Sequence, residues 1–194
     1  AFRERPDLVA LSGSYDADPA ERAFWSLYMN LRHHYTHQHA PADTPSFWAG
    51  CGAVRRSAFL EAGGFDAGRF RAPAIEDIEL AVRLRGRGAL RFDRDVQVRH
   101  LKRWTPGALV RTEIRQRALP WARLLRERAD APRGLNLRPS QRIAAALAPL
   151  ALAALPALAW ALATGRPRAA LGCMAVLAAA LACSYGMVAF FART

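Results

Sequence analysis

Two long stretches near the C-terminus carry no charged side chain, and they limit what the rest of the chain can be. Ile143 to Ala163 and Ala169 to Phe191 contain no Asp, Glu, Lys or Arg. A helix of about 20 residues spans the hydrocarbon core of a bilayer. Each stretch is long enough to cross as a helix; the alternative is a helical hairpin of a soluble protein. Both are Ala-rich, and Pro149 and Pro156 are placed to kink the first. Gly165-Arg166-Pro167-Arg168 leaves only a short loop between them. Arg123, Arg126, Arg128, Arg133, Arg138 and Arg142 precede the first stretch, against Arg166 and Arg168 in the loop. The positive-inside tendency then puts the preceding domain and the C-terminus on the cytoplasmic side of a membrane crossed more than once.

The remainder reads as alternating strands and helices, which favours an α/β domain. Leu8-Val9-Ala10-Leu11, closed by Ser12-Gly13-Ser14, predicts a buried strand. Asp18-Pro19 predicts a capped helix running from about Pro19 to His39, with Phe24, Leu27, Tyr28 and Leu31 on its apolar side. Phe47 to Val54 predicts a strand entering a glycine-flanked turn, and Arg56 to Ala62 a short helix stopped by Gly63-Gly64. Ile75 to Arg87 predicts a helix ended by Gly88. Ala89 to Asp93 and Val96 to Leu101 predict two further strands.

Charge and cysteine usage narrow the function classes. The net charge is +12, and Lys102 is the only lysine. An anionic partner fits that balance, as does a codon bias toward Arg and Ala. Nucleic acid is disfavoured by the two uncharged stretches and by the lack of a basic helix aimed at a groove or a stacking platform. Cys51, Cys173 and Cys183 are odd in number and have no CxxC spacing, so neither a disulfide framework nor a zinc site is expected.

From Thr105 the pattern changes. Thr105-Pro106 predicts a capped helix carrying Leu109, Ile114, Leu119, Trp121, Leu124 and Leu125 among Arg111, Arg115, Arg117, Arg123 and Arg126. An amphipathic, Arg-rich, Trp-bearing helix suits the plane of a membrane surface, or else packs on the domain.

Candidate chemistry lies between Phe47 and Trp121. On a helix opening at Ile75, Glu76, Glu79, Arg83 and Arg87 share one face, which reads as solvated. Asp77 falls on the less solvated side, in line with Ala81 and Leu84. The helix dipole favours its ionised form and burial opposes it, as a general base requires. A structural acid complementing the dipole is the alternative. His100-Leu101-Lys102-Arg103-Trp104 and Arg115 to Trp121 place guanidinium forks beside indoles, which suits a diphosphate or a sugar ring, or an interfacial belt. His33 and His37 stand one turn apart and could share a metal; solvated or substrate-facing histidines are the alternative. Asp16-Ala17-Asp18 reads as a loop and cap.

In this order, the motifs resemble a membrane-bound family 2 glycosyltransferase. The matching pieces are Gly50-Cys51-Gly52-Ala53-Val54-Arg55-Arg56, Gly63-Gly64-Phe65-Asp66, Glu76-Asp77 leading Ile78-Glu79-Leu80, and His100 to Trp104. The resemblance covers about Leu8 to Leu125. It implies a partial GT-A, Rossmann-like nucleotide-sugar transferase domain with this division: 1–104, the acceptor-side part of the catalytic domain; 105–142, an amphipathic interfacial helix and linker; 143–194, a two-helix transmembrane hairpin. It implies inverting, hexosyltransferase-like transfer from a nucleotide-sugar donor to a lipid-linked or polysaccharide acceptor of the cell envelope. Asp77 would be the base. Glu76, Gly50, Cys51, Gly52, Gly64, Phe65 and Asp66 would shape the acceptor pocket. Arg117, Trp121, His100, Arg103 and Trp104 would contact the donor diphosphate. Relatives carry Gln-x-x-Arg-Trp on an interfacial helix; here Trp121 matches, while Arg117 stands for Gln and Pro120 for Arg.

The resemblance also implies a divalent metal, Mg or Mn, whose main ligands belong to an Asp-x-Asp motif expected ahead of this chain. The expectation is therefore the C-terminal part of an enzyme, weakly active or inactive alone. The alternative is a non-catalytic membrane protein that keeps the fold and uses its Arg-rich surface for lipid or partner binding.

Overall fold

The computed structural model describes residues 1–128 and 139–193, with the side chains at 139–142, 144 and 145 excepted. Arg133 and Arg138 of the charge asymmetry, and the side chain of Arg142, lie outside the described residues. The chain divides into two compact units, 1–135 and 136–194.

The first unit is mixed α/β, built on a three-stranded sheet in the order β2-β1-β3. The central strand β1 (Leu8–Tyr15) runs antiparallel to β2 (Gly52–Val54) and parallel to β3 (Ala89–Val98). A central strand is covered on both faces, which explains its unbroken apolar start, with Leu8, Val9 and Ala10 buried. The strand does not stop at Leu11. Ser12 and Ser14 are also buried and stay in the ladder because their hydroxyls are engaged: Trp48 N–H donates to Ser12 Oγ at 2.8 Å, and Ser14 Oγ donates to the Tyr15 carbonyl at 2.7 Å. Gly13 leaves room for Cys51 Sγ, which a Cβ would meet at 2.7 Å.

The two strands expected between Ala89 and Leu101 are one. Ser12 pairs with Phe92 and Ser14 with Gln97, so the polar residues of β3 between those partners bulge out of the ladder without ending it. Helix α1 (Phe24–Gln38) begins later than expected, at Ala23 with no side-chain cap. Asp18 is unavailable as a cap because Arg22 and Arg99 both pair with it, and Ala20 N–H donates to the His100 carbonyl. The segment before α1 is thus tied to the end of β3. Phe47 to Val54 is only partly strand: Ala49–Cys51 forms a 3-10 turn before β2.

Helices α2 (Arg56–Glu61) and α3 (Glu76–Leu84) cover the sheet. Val9, Ala10, Phe47, Ala58, Ala62, Leu80, Ala81, Leu84 and Leu90 form the main core. The expected solvated face of α3 needs a correction at Glu79, which is 4% exposed and paired with Arg83 at 2.6 Å. Arg83 also donates to the Ala62 carbonyl, so this i,i+4 pair fastens α3 to the end of α2.

After β3, helix α4 (Pro106–Arg111) is capped as expected, with Ala108 N–H donating to Thr105 Oγ1 at 3.3 Å. It continues through a π-helical segment (Thr112–Ala118) into α5 (Leu119–Glu127). Leu124 is fully buried and, with Ile75, Phe70, Ile78 and Trp121, forms a second apolar cluster. One side of the amphipathic segment therefore packs on the domain. On the other, Val110, Ile114, Leu119 and Leu125 are exposed.

The second unit is a hairpin of α6 (Pro139–Ala163) and α7 (Pro167–Phe191), turned at Gly165 with φ +64°. Both helices are long and apolar enough to cross a membrane. Their large side chains, including Leu152, Leu162, Leu171, Leu181 and Tyr185, face outward. A hydrocarbon environment would cover such a surface, whereas water would not.

Candidate active site

Asp77 is the second residue of α3, where the free backbone N–H groups of a helix start attract negative charge. Its Oδ2 accepts from Ala49 N–H at 3.1 Å and its Oδ1 from Ile78 N–H at 2.8 Å. The first bond ties the carboxylate to the 3-10 turn that contains Gly50 and Cys51. Burial nevertheless dominates, and pushes the Asp77 carboxyl up to about 6; the two N–H donors oppose the shift and the Glu76 charge adds to it. Glu76 itself turns away, its Oε2 accepting from Ala74 N–H at 2.6 Å.

The turn is glycine-dependent through packing. A side chain at Gly50 would run into the Trp48 indole, and one at Gly52 would meet the Phe47 ring at 2.6 Å. These two glycines let Phe47 enter the core while Trp48 reaches the site.

Trp48 lines a cavity of about 170 Å³ beyond the C-terminal end of β1, together with Tyr15, His33, Pro73, His100, Lys102, Trp104, Gln116 and Arg117. Asp77 lies close enough for its charge to raise the Tyr15 phenol, after burial. Tyr15 is held on both sides of its backbone: its N–H donates to His37 Nδ1 at 3.2 Å, and its carbonyl lies 2.8 Å from His34 Nδ1. Its ring packs on Trp48 and His100, with centroids at 4.4 and 4.3 Å.

The histidines here are neutral and the fixed charge belongs to Arg117. Burial pushes His33 well below its usual value, and His37 down to about 4; His100 is lowered too, and Arg117 adds to all three shifts. Lys102 is lowered by burial and then by Arg117, and its Nζ sits 3.7 Å from the centre of the Trp104 ring. Arg117 is itself fixed by Glu113 at 2.8 Å. Its Nη2 lies 3.0 Å from His33 Nε2; since a guanidinium only donates, His33 accepts there and carries its proton on Nδ1. His33 Nδ1, His100 Nδ1 and Trp104 Nε1 are all buried without a hydrogen-bond partner. Three unmatched ring nitrogens around one cavity are costly unless something polar meets them.

Of the sequence-predicted diphosphate residues, His100, Trp104 and Arg117 meet at this cavity. Trp121 does not line it: the indole packs on Ile75 and Leu124, as an anchor of α5. Arg103 is exposed and also lies outside the lining. Of the acceptor-side residues, Gly50, Cys51 and Gly52 are beside Asp77 in the turn. Gly64, Phe65 and Asp66 instead close the end of α2, with Gly63 and Gly64 at positive φ and Phe65 stacked edge-on to Phe59. Asp66 Oδ1 accepts from Arg69 N–H at 2.9 Å. Tyr15 and Thr112, which also line the cavity, lie outside every motif of the sequence. The only available sign for Tyr15 was its place at the end of the central strand, where α/β sheets bind ligands.

Among the described residues, no three His, Cys, Asp or Glu side chains group as metal ligands. Asp18 is taken by two arginines, and His37 Nδ1 by the backbone of Tyr15. Among the described residues these side chains supply no ready-made ligand group for the divalent metal that the resemblance implies.

No family model matches this chain, and neither a curated protein nor a solved structure matches it significantly.

Proposed function

We propose that this chain forms the acceptor side of a membrane-associated glycosyltransferase of the family 2, GT-A type, with Asp77 as the general base. The observation that carries this reading is the coupling of Asp77, raised to about 6 and tied to the Gly50–Gly52 turn, with a basic, aromatic cavity next to it. A carboxylate of that basicity is still mostly ionised near neutral pH and is a better proton acceptor than an exposed one.

In the reaction, Asp77 takes the proton of an acceptor hydroxyl. The hydroxyl oxygen forms a bond to the anomeric carbon of the donor sugar from the face opposite the leaving group. The bond from that carbon to the nucleoside diphosphate breaks, its electron pair leaves with the diphosphate, and configuration inverts. Arg117 and Lys102 supply positive charge for the departing diphosphate. Trp48 gives a flat apolar face on which a sugar ring rests. The exposed apolar residues of α4 to α5 and the α6–α7 hairpin fit a site at the inner face of a cytoplasmic membrane, where a lipid-linked or envelope-glycan acceptor is presented.

The test is a screen of labelled nucleotide-sugar donors, using membranes from cells that express the intact gene. Transfer to a lipid or glycan fraction is expected for at least one donor, and Asp77→Asn should lower it by about 100-fold or more, the usual contribution of a general base. Full transfer by the Asn variant would remove Asp77 from the mechanism. Absence of transfer with every donor would favour the non-catalytic reading.

A further inference from the structure

A second cavity, of about 190 Å³, shares the wall formed by Pro73, Ala74 and Gln116 with the first, but has a different chemistry. It contains no histidine and no indole. Its charged lining is four arginines: Arg69 and Arg71 from the loop before α3, Arg115 from the π segment and Arg123 from α5. Arg69 is neutralised by Glu127 at 2.5 Å. Arg71, Arg115 and Arg123 have no carboxylate partner among the described residues. Three guanidiniums converging on one hollow repel each other, and the arrangement is stabilised when an anion with several acceptor oxygens sits between them. Phe70, Pro73 and Pro120 form the apolar part of the same wall.

We propose that this cavity binds the phosphate headgroup of an anionic lipid. The choice of a phosphate follows from the guanidinium forks, which match a tetrahedral oxyanion by paired N–H donation. The choice of a lipid follows from what surrounds the arginines. Exposed Leu119 stands four residues from both Arg115 and Arg123 on the same helical segment, so the side that holds the charge also offers an apolar side chain to an acyl or prenyl chain. Within the π-helical segment Arg115 and Gln116 line the second cavity, while Arg117, two residues beyond Arg115 and so on another side of the helix, reaches His33 in the first. Gln116 lines both. The site does not require that the chain transfer sugar, and it would stand if the transferase reading failed.

The test is a binding isotherm for the full chain in a neutral detergent, titrated separately with short-chain phosphatidic acid, short-chain phosphatidylcholine and inorganic phosphate. Phosphatidic acid should bind about tenfold or more tightly than either of the others. The triple variant R71Q/R115Q/R123Q should lose that advantage, whereas R3Q/R56Q/R91Q, which removes the same charge elsewhere, should keep it. R123Q alone should weaken binding by a smaller factor, and serves if the triple variant folds poorly. Asp77→Asn should bind like the wild type, which separates this site from the catalytic proposal. Equal losses in the two triple variants would show diffuse attraction and overturn the site. Inorganic phosphate binding as tightly as phosphatidic acid would overturn the lipid source.

Discussion

The raised carboxyl of Asp77 makes the stability of the fold depend on pH. A carboxyl that titrates at about 6 when folded and at 3.8 when unfolded is harder to ionise in the folded state. Below pH 3.8 it is protonated in both states and carries no penalty. Between pH 3.8 and about 6 the unfolded chain ionises while the shielded folded carboxyl does not, so stability is lost across that window and the loss is complete above it. The difference of roughly 2 pKa units corresponds to about 3 kcal/mol above pH 7, falling to about 0.5 kcal/mol at pH 4. Asp77→Asn removes the charge and this penalty. It also weakens the two backbone contacts from Ala49 and Ile78, because an amide presents one acceptor oxygen instead of two, a cost of about 1 kcal/mol. The Asn variant should therefore be more stable than wild type by about 1–2 kcal/mol at pH 7.5, and no more stable, or slightly less, at pH 4. Urea unfolding of the full chain in detergent, followed by tryptophan fluorescence at both pH values, measures the difference. A variant that is less stable at pH 7.5, or a gap that does not change with pH, would refute the reasoning. It would mean that Asp77 is solvated and its carboxylate ordinary.

Other perturbations test the supports around it. Arg83→Ala leaves buried Glu79, among the described residues, with Arg128 at 3.8 Å as its remaining cation, so it should cost about 3 kcal/mol or more in urea unfolding, and E79Q/R83M should recover much of the loss. Gly52→Ala forces a methyl group against Phe47 and the Trp48 carbonyl; a loss of about 1–3 kcal/mol is expected, with a shift in Trp48 emission as the indole is displaced. Arg117→Gln removes the charge that helps to keep the cavity histidines neutral. Imidazole resonances should titrate at higher pH in the variant, with His37 climbing from about 4, while unchanged titrations would place Arg117 too far from the rings.

The local signals in the sequence were strongest where one residue type decides the outcome. Thr105-Pro106 caps α4, Gly63-Gly64 stops α2, and the two uncharged stretches form two long helices. Asp77 was legible because its place on α3 follows from helical periodicity alone. Less was visible where a partner distant in sequence decides. Ser12 and Ser14 look like a strand terminator, yet Ser12 stays in the sheet through a donor from Trp48, 36 residues later. Asp18 looks like a cap until Arg99 arrives from the far end of β3. Glu79 looks solvated until the α2–α3 packing closes over it. Trp121 matched a motif by type, but its surroundings are Ile75 and Leu124, and its role is to hold α5 in place. The cavity could not be assembled from spacing because its lining comes from β1, α1, the turn before β2 and the segments after β3. The π segment that carries Arg115 and Arg117 has no sequence signature that periodicity detects.

The central claim is that Asp77 accepts the acceptor's proton, and a pH–rate profile of transfer tests it most directly. With membranes from cells that express the intact gene, wild-type transfer should fall on the acid side with a midpoint near pH 6, where the Asp77 carboxylate is protonated. Asp77→Asn should lower transfer by about 100-fold or more, with donor binding within about twofold of wild type and no acid limb near 6 in the residual rate. An Asn variant that keeps the wild-type rate, or the same acid limb in both proteins, would contradict the account.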